Sequence, residues 1–245
     1  MARPVKIAVL CSGSASSFRW LCEHDPNFGV AYDIVGVFAN DESSTGIEYA
    51  EKHGMPITVL DFRKWRREHG FAFGDPEGRE QYFQEVLDIV KGWGAEAIIL
   101  SGFMLLVADP LYSAYEGKMV NVHPALLSLL DEEGKRKYTG LNTVARAMQA
   151  GDPTGSTVHI IVREADLGPI VAESEPLPYQ PGDDPDAHQE AMKTACDGPA
   201  FQTALERLIT SGWPEVPLEA EGVVHKDRHW LQAVFCFDIG QSTWQ

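Results

Sequence analysis

The chain has 245 residues, 44% of them hydrophobic and 23% charged, proportions that suit a chain able to bury a core without disulfide or metal support. Its net charge of −16 argues against a nucleic-acid partner, because phosphate backbones are held by basic faces, yet leaves room for a small anionic substrate bound by a few local donors. No apolar run reaches the ~18 residues of a membrane span, and four scattered cysteines (Cys11, Cys22, Cys196 and Cys236) with no C-x-x-C pair predict reduced thiols rather than zinc or a disulfide framework.

MARPVKIAVLCSGSASS imitates a short signal peptide, but KIAVLCSGS has the form of a first strand entering a turn, so a cytoplasmic chain is expected. VKIAVLC (5–11) and YDIVGVFA (32–39) are short, β-branched and apolar, the pattern of buried parallel strands. Between them SSFRWLCEH (16–24) carries apolar residues at 18, 21 and 22, a helical stripe. GIEYAEKHG (46–54) predicts a second helix closed by a glycine, and MPITVL (55–60) a third strand. QYFQEVLDIVKGWG (81–94) is a long amphipathic helix, followed by strands at EAIILSG (96–102) and KMVNVH (118–123). This βαβαβ alternation predicts an α/β fold with a doubly wound, mostly parallel sheet.

Beyond residue 150, GSTVHIIV (155–162) and PIVAESEPLPY (169–179) have no helix between them and predict antiparallel strands added in the C-terminal half. PGDDPD (181–186) opens a helix through about residue 210, and the tail from 211 has little periodicity. No repeat, low-complexity tract or linker interrupts the chain. The expected organisation is one domain over 1–210, with 211–245 packed irregularly on it. Trp20, Trp65 and Trp93 are expected to serve packing.

Strand side chains alternate faces, so Asn121 and His123 in NVHPALL point the same way. Ligands of open α/β sheets bind at the carboxyl ends of strands, where an amide stabilises an oxyanion and an imidazole moves a proton. The competing reading has both residues capping the strand end and bonding to the loop. Asp166, in VREADLGP (162–169), is either a turn aspartate bonded to its own backbone or a carboxylate that orients His123. CSGSASSF (11–18) opens the first helix, where backbone amides attract phosphate or carboxylate, but it lacks both G-x-G-x-x-G and a Walker lysine. Its serines (Ser12, Ser14, Ser16, Ser17) either add donors or cap the helix. His159 reads as a satisfied strand histidine, and the remaining histidines show no metal-ligand spacing, so no metal site is expected.

KIAVLCSGSASSF, VFAN (37–40), GREQYFQEVL (78–87), AIILSGFM (97–104), NVHPALL (121–127) and GSTVHIIVREADLGP (155–169) together resemble the folate-dependent formyltransferases, in that family's order and over roughly residues 5–210. Within that family the similarity is greatest to the glycinamide ribonucleotide formyltransferases of purine biosynthesis. The resemblance implies a Rossmann-like formyltransferase fold and formyl transfer from 10-formyltetrahydrofolate to a primary amine without a metal or a covalent enzyme intermediate. It assigns Asn121, His123 and Asp166 as the catalytic trio: Asn121 and protonated His123 stabilise the oxyanion, while Asp166 holds the imidazolium and assists proton transfer through water. It places substrate phosphate on the turn Gly13, Ser14, Ala15, Ser16 and Ser17. It places the folate near Phe103, Met104, Leu105, Leu106 and Val107, beside Arg163, Glu164 and Ala165, with Arg79 matching a basic residue near the ligands.

Three departures concern the acceptor. The family's phosphate turn typically reads G-N-G-S-N, so Ala15 stands where a glycine is usual, and Leu105 replaces a frequent arginine. After HPALL the family proceeds through proline to P-G-L-H-T, whereas this chain has Ser128, an insertion over 128–138 and then Thr139-Gly140-Leu141-Asn142-Thr143. Near the last helix, where relatives place a Gln/Glu pair, KTACDGP (193–199) offers Lys193, Cys196 and Asp197. Alternative expectations are therefore another amine, such as an amino-sugar nucleotide or amino acid, hydrolysis of formyltetrahydrofolate, or folate or nucleotide binding without turnover. The expected partners are the amine and the folate, with no nucleic acid or membrane, on a monomer or homodimer.

Overall fold

The computed structural model describes residues 3–214. Seven strands form one sheet in the order β3-β2-β1-β4-β5-β6-β7. They are β1 (Val5–Cys11), β2 (Tyr32–Ala39), β3 (Ile57–Val59), β4 (Ala97–Leu100), β5 (Met119–His123), β6 (Thr157–Ile160) and β7 (Ile170–Glu173). Pairing is parallel from β3 to β5 and antiparallel at β5–β6 and β6–β7. The mostly parallel α/β sheet with added antiparallel strands is therefore the architecture found.

The alternation of β1 explains the two helical layers. Ile7, Val9 and Cys11 face one side, where they join Phe18 and Leu21 of α1 (Ser16–His24) and Phe201 and Leu205 of α8 (Gly198–Ser211). Ala8 and Leu10 face the other, against Tyr82, Phe83 and Val86 of α4 (Pro76–Gly92) and Phe62 and Trp65 of α3 (Phe62–Glu68). Burial on both faces accounts for the unbroken apolar run of the strand. Two of the tryptophans fill space left by glycine: Trp93 lies over Gly36 and Trp20 over Gly198, where an added β-carbon would come within 2.2 and 2.3 Å of an indole.

Several bounds differ from expectation for identifiable reasons. α4 begins at Pro76, not 81, because Asp75 accepts from the amides of Glu77 and Gly78 and Pro76 suits the first turn; that turn buries only Gly78, which leaves no apolar stripe. α3 starts from Asp61, which accepts from the Lys64 amide, and buries only Phe62 and Trp65. α2 (Thr45–Lys52) matches the expected helix, while α5 (Leu111–Ala114) and α6 (Thr143–Ala150) had no forecast. β7 stops at Glu173 instead of 179, where Pro176 and Pro178 withdraw backbone donors. The helix forecast to reach 210 is α7 (Pro185–Met192), a π-helical turn (Lys193–Asp197) and α8. From residue 215 onward, the expected irregular tail lies outside the described residues.

From β1 the chain steps one way to β2 and, later, the other way to β4. A switch in direction opens a crevice beyond the carboxyl ends of β1 and β4. No described helix is long and apolar enough to cross a membrane.

Candidate active site

A cavity of about 550 Å3 occupies that crevice. Its walls come from the turn after β1, the loop after β4, the end of β5, the start of α6, the loop between β6 and β7, and the π turn. Asn121, His123 and Asp166 all line it, so the shared strand face and the distant turn meet in space.

His123 is 5% exposed. Its Nε2 donates to the Tyr138 carbonyl at 2.8 Å, which fixes the neutral tautomer, and its Nδ1 lies 3.4 Å from Asp166 Oδ1. Burial holds this imidazole below its ordinary pKa even though Asp166 pulls the other way. The Nδ1 gap exceeds a good hydrogen-bond length, so a proton arriving there is not locked to the carboxylate.

Asp166 serves two rings. Oδ1 also stands 3.6 Å from Nε2 of the buried His159, while Oδ2 accepts from the Gly140 amide at 2.8 Å. The residue adopts φ of 59°, in the left-handed region. Two positions on, Gly168 is obligatory, since a β-carbon there would stand 1.7 Å from the Ile160 carbonyl oxygen. The D-x-G-P motif is thus a tight backbone fit that presents a carboxylate.

His159 is more than a satisfied strand residue. Its Nδ1 donates to the Ile160 carbonyl at 3.0 Å, which leaves Nε2 to accept from Asn121 Nδ2 at 3.4 Å. Burial lowers its pKa and keeps it neutral, as that acceptor role needs. The signal was the strand pairing itself: Asn121 and His159 are direct partners between β5 and β6. The Tyr138 carbonyl was not foreseeable, being a backbone group brought in by the chain's path.

The turn Gly13–Ser17 is stitched into its surroundings. Ser12 Oγ accepts from the Met104 amide at 2.8 Å, and Ser17 Oγ lies 2.6 Å from Ser101 Oγ. Ser14, Ala15, Ser16 and Ser17 line the cavity; Gly13 does not, and its carbonyl accepts from Ser44 Oγ at 2.6 Å. Ala15 takes φ of 48°, and no side chain caps the helix it opens. Its methyl is buried toward Gly46, where an added β-carbon would stand 2.8 Å away.

Phe103, Met104, Leu105, Leu106 and Val107 form one wall, with Met104 67% and Leu106 60% exposed at the mouth. Arg163, Glu164 and Ala165 line the cavity opposite, and Arg163 pairs with Asp109 at 2.7 Å while lying over the Tyr112 ring. Arg79 lies outside the lining and donates to the Leu106 carbonyl, so it braces this wall from behind.

At the far end Lys193 and Asp197 face the cavity, whereas Cys196 is buried beside Met192 and Val144. Lys193 pairs with Glu190 at 2.5 Å. Burial pushes Asp197 up to about 6, against a 2.5 Å bond from Ser156 Oγ and the Lys193 charge. Ser128, at the family's usual proline, donates through its amide and hydroxyl to Glu173 at 3.0 and 2.7 Å. Cys11, Cys22 and Cys196 form no disulfide, while Cys236 lies outside the described residues. Among the described residues no three His, Cys, Asp or Glu stand grouped to hold a metal ion.

The family model described as formyl transferase matches residues 5–197. The trifunctional purine biosynthetic protein adenosine-3 of Gallus gallus is 30% identical over 214 residues, covering 86% of this chain and 19% of that protein. The chloroplastic phosphoribosylglycinamide formyltransferase of Arabidopsis thaliana is 31% identical over 173 residues, covering 70% of this chain and 55% of that one. The chain therefore spans about a fifth of the trifunctional relative and about half of the plant relative. Among solved structures, the phosphoribosylglycinamide formyltransferase of Brucella melitensis has a TM-score of 0.66 at 27% identity, covering 89% of this chain and 100% of that one. Glycinamide ribonucleotide transformylase 1 of Geobacillus kaustophilus has a TM-score of 0.69 at 26% identity, covering 84% and 100%.

Proposed function

Because this chain belongs to the formyl transferase family, we propose that it moves the formyl group of 10-formyltetrahydrofolate onto the amine of glycinamide ribonucleotide, a step of purine biosynthesis. The observation that carries the reading is the meeting of Asn121, His123 and Asp166 on one wall of a cavity large enough for a ring system and a small amine.

The cavity suits the two ligands at different ends. The apolar wall from Phe103 to Val107 offers a surface for a flat heterocycle, with backbone groups at its edge to read polar atoms. The amides around Ser14–Ser17 at the start of α1 offer donors for the phosphate of the amine. When bound, the folate supplies the formyl group. Asn121 directs its amide toward the oxygen that gathers negative charge as the amine attacks. His123, when protonated at Nδ1 as well as Nε2, offers the Nδ1–H to that oxygen, while Asp166 balances the imidazolium and relays, through water, the proton shed by the attacking amine to the folate nitrogen whose bond to the formyl carbon breaks. Donors of this kind are each worth about 3–4 kcal/mol in the transition state.

The Lys193, Glu190 and Asp197 cluster favours a second reading, the same chemistry on a different amine. One experiment separates the two. Purified protein is offered 10-formyltetrahydrofolate with glycinamide ribonucleotide, an amino-sugar nucleotide and free amino acids in turn. Transfer to the first with loss of turnover in His123→Ala supports the proposal. Transfer only to another amine replaces the substrate, and His123→Ala at wild-type rate overturns the mechanism.

A further inference from the structure

The insertion after Leu127 does not fill the cavity. It folds as a hairpin in which Leu130 bridges Arg136 and the Lys137 amide donates to the Leu129 carbonyl at 2.9 Å. Its tip is closed by Asp131, whose Oδ1 accepts from the Glu133 and Lys135 amides at 3.0 and 2.8 Å. Returning from that tip, the chain places two groups on the catalytic residues in quick succession. Arg136 Nη1 donates to the carbonyls of Asp166 and Gly168 at 2.6 and 2.9 Å, and the Tyr138 carbonyl receives His123 Nε2.

We propose that Arg136 is a positioning residue for formyl transfer: carried by the inserted hairpin, it grips the backbone of the Asp166 turn and so sets the carboxylate that His123 and His159 share. The inference rests on the formyl-transfer reading above.

The argument is geometric. Asp166 sits at φ of 59°, a conformation that side-chain-bearing residues hold only when their surroundings impose it. Gly140 fixes one carboxylate oxygen and the close fit of Gly168 fixes the chain after it, but neither holds the Asp166 carbonyl. Arg136 does, with a charge-assisted bond shared between two carbonyls. Without it the peptide after Asp166 keeps only the 3.3 Å bond from the Leu167 amide to the Glu164 carbonyl, and as it shifts the 3.4 and 3.6 Å approaches to the two imidazoles change together. Arg146 steadies the neighbouring segment by donating to the Lys137 and Thr139 carbonyls on either side of Tyr138. Arg136 thus adjusts Asp166, and Arg146 adjusts the carbonyl that orients His123.

The test uses the full chain and four proteins: wild type, Arg136→Ala, Arg136→Gln and Arg136→Lys. Arg136→Ala is expected to lower kcat about tenfold or more, as small displacements of catalytic groups do. KM for the amine and for the folate should stay within about twofold, since Arg136 touches neither ligand site. Arg136→Lys, with charge and one donor, should recover much of the loss, and Arg136→Gln less. A readout independent of turnover is the NMR titration of both imidazoles. His123 faces Asp166, Arg136, Arg146 and His159, and His159 faces Asp166, His123 and Arg136. Both titrations should move in Arg136→Ala.

Wild-type transfer with Arg136→Ala at wild-type kcat and unmoved titrations overturns the inference alone. Equal falls in kcat and melting temperature, unrescued by lysine, assign Arg136 a purely structural role and overturn it as well. A wild-type protein that transfers formyl to no amine overturns the functional reading instead, and the titrations then decide whether Arg136 sets Asp166. Should Arg136→Ala fail to fold, an intermediate kcat at unchanged KM in Arg136→Lys supports the inference and a wild-type kcat overturns it.

Discussion

Asn121 on β5 and His159 on β6 are direct register partners, and their side chains meet at 3.4 Å inside the cavity wall. The ring accepts from the amide that is proposed to face the formyl oxygen, so it sets the direction of the second N–H. His159→Phe keeps the ring volume and removes the acceptor. The expected outcome is a kcat lowered about tenfold, with KM near wild type, because an oxyanion donor is misaimed rather than deleted. Steady-state formyl transfer checks this, and an unchanged kcat would show that Asn121 keeps its aim without the ring.

Gly168 has the least room of any glycine near the site, with 1.7 Å between an added β-carbon and the Ile160 oxygen. The Ile160 oxygen is backbone and the added carbon is fixed rigidly to the Gly168 backbone, so relief requires β6 or the Asp166 loop to move. Gly168→Ala should cost about 3 kcal/mol or more, in the range of severe overpacking. Chemical denaturation reads the cost directly. Any folded fraction should turn over slowly, since Asp166 travels with the loop.

Asp197 carries a pH signature. Its folded pKa, raised to about 6 by burial, means the folded chain holds a proton that the unfolded chain releases near 4. Its contribution to stability is therefore full below about pH 4 and is lost as pH rises through about 6. Asp197→Asn keeps an oxygen for the Ser156 hydroxyl and removes the buried charge. The variant should be more stable than wild type at pH 7–8, by on the order of 1–3 kcal/mol, and the gain should fade toward pH 4. Denaturant titrations across that pH range check it. A gain that persists at pH 4 would show that ionisation of Asp197 is not its source.

Ala15 stands where a glycine was expected, and its buried methyl lies toward Gly46. Ala15→Gly removes a left-handed penalty of about 1–2 kcal/mol and a buried methyl worth about 1 kcal/mol, so stability should change by no more than about 1 kcal/mol. KM for the phosphorylated amine should stay within about twofold. A larger fall in KM would show that the methyl does crowd the phosphate.

The framework was legible because its signals are local. β1 and α1 occupy the residues their periodicity predicted, and the two-residue spacing of Asn121 and His123 survives folding because strand geometry is rigid. Asp166 was legible through its motif, and the structure supplies the reason, a glycine with no space beside it. Elements with exposed faces were harder to see: α3 buries Phe62 and Trp65 amid arginines, too few positions to mark a period. The insertion looked like a change to the acceptor pocket. Its action through Arg136 on Asp166 depends on a hairpin and two carbonyls, and no side-chain pattern encodes either. Gly13 and Arg79 were expected at the ligands, yet one carbonyl is committed to Ser44 and the guanidinium supports Leu106 from behind.

The π turn over Lys193–Asp197 separates two helices that are anchored independently. His188 of α7 meets Thr154 at 2.7 Å, and Phe201 and Leu205 of α8 are fully buried in the core. One extra residue in a helix rotates every later residue by about 100° around the axis, and here the rotation is absorbed within five residues. Loss of that residue would re-aim Lys193 and Asp197, which lie between the two anchors, while Asn121, His123 and Asp166 stand on other elements. The fold thus holds the wall of Asn121, His123 and Asp166 and the wall of Lys193 and Asp197 on separate mechanical footings, so one side of the cavity can be reshaped by a step that the other does not feel.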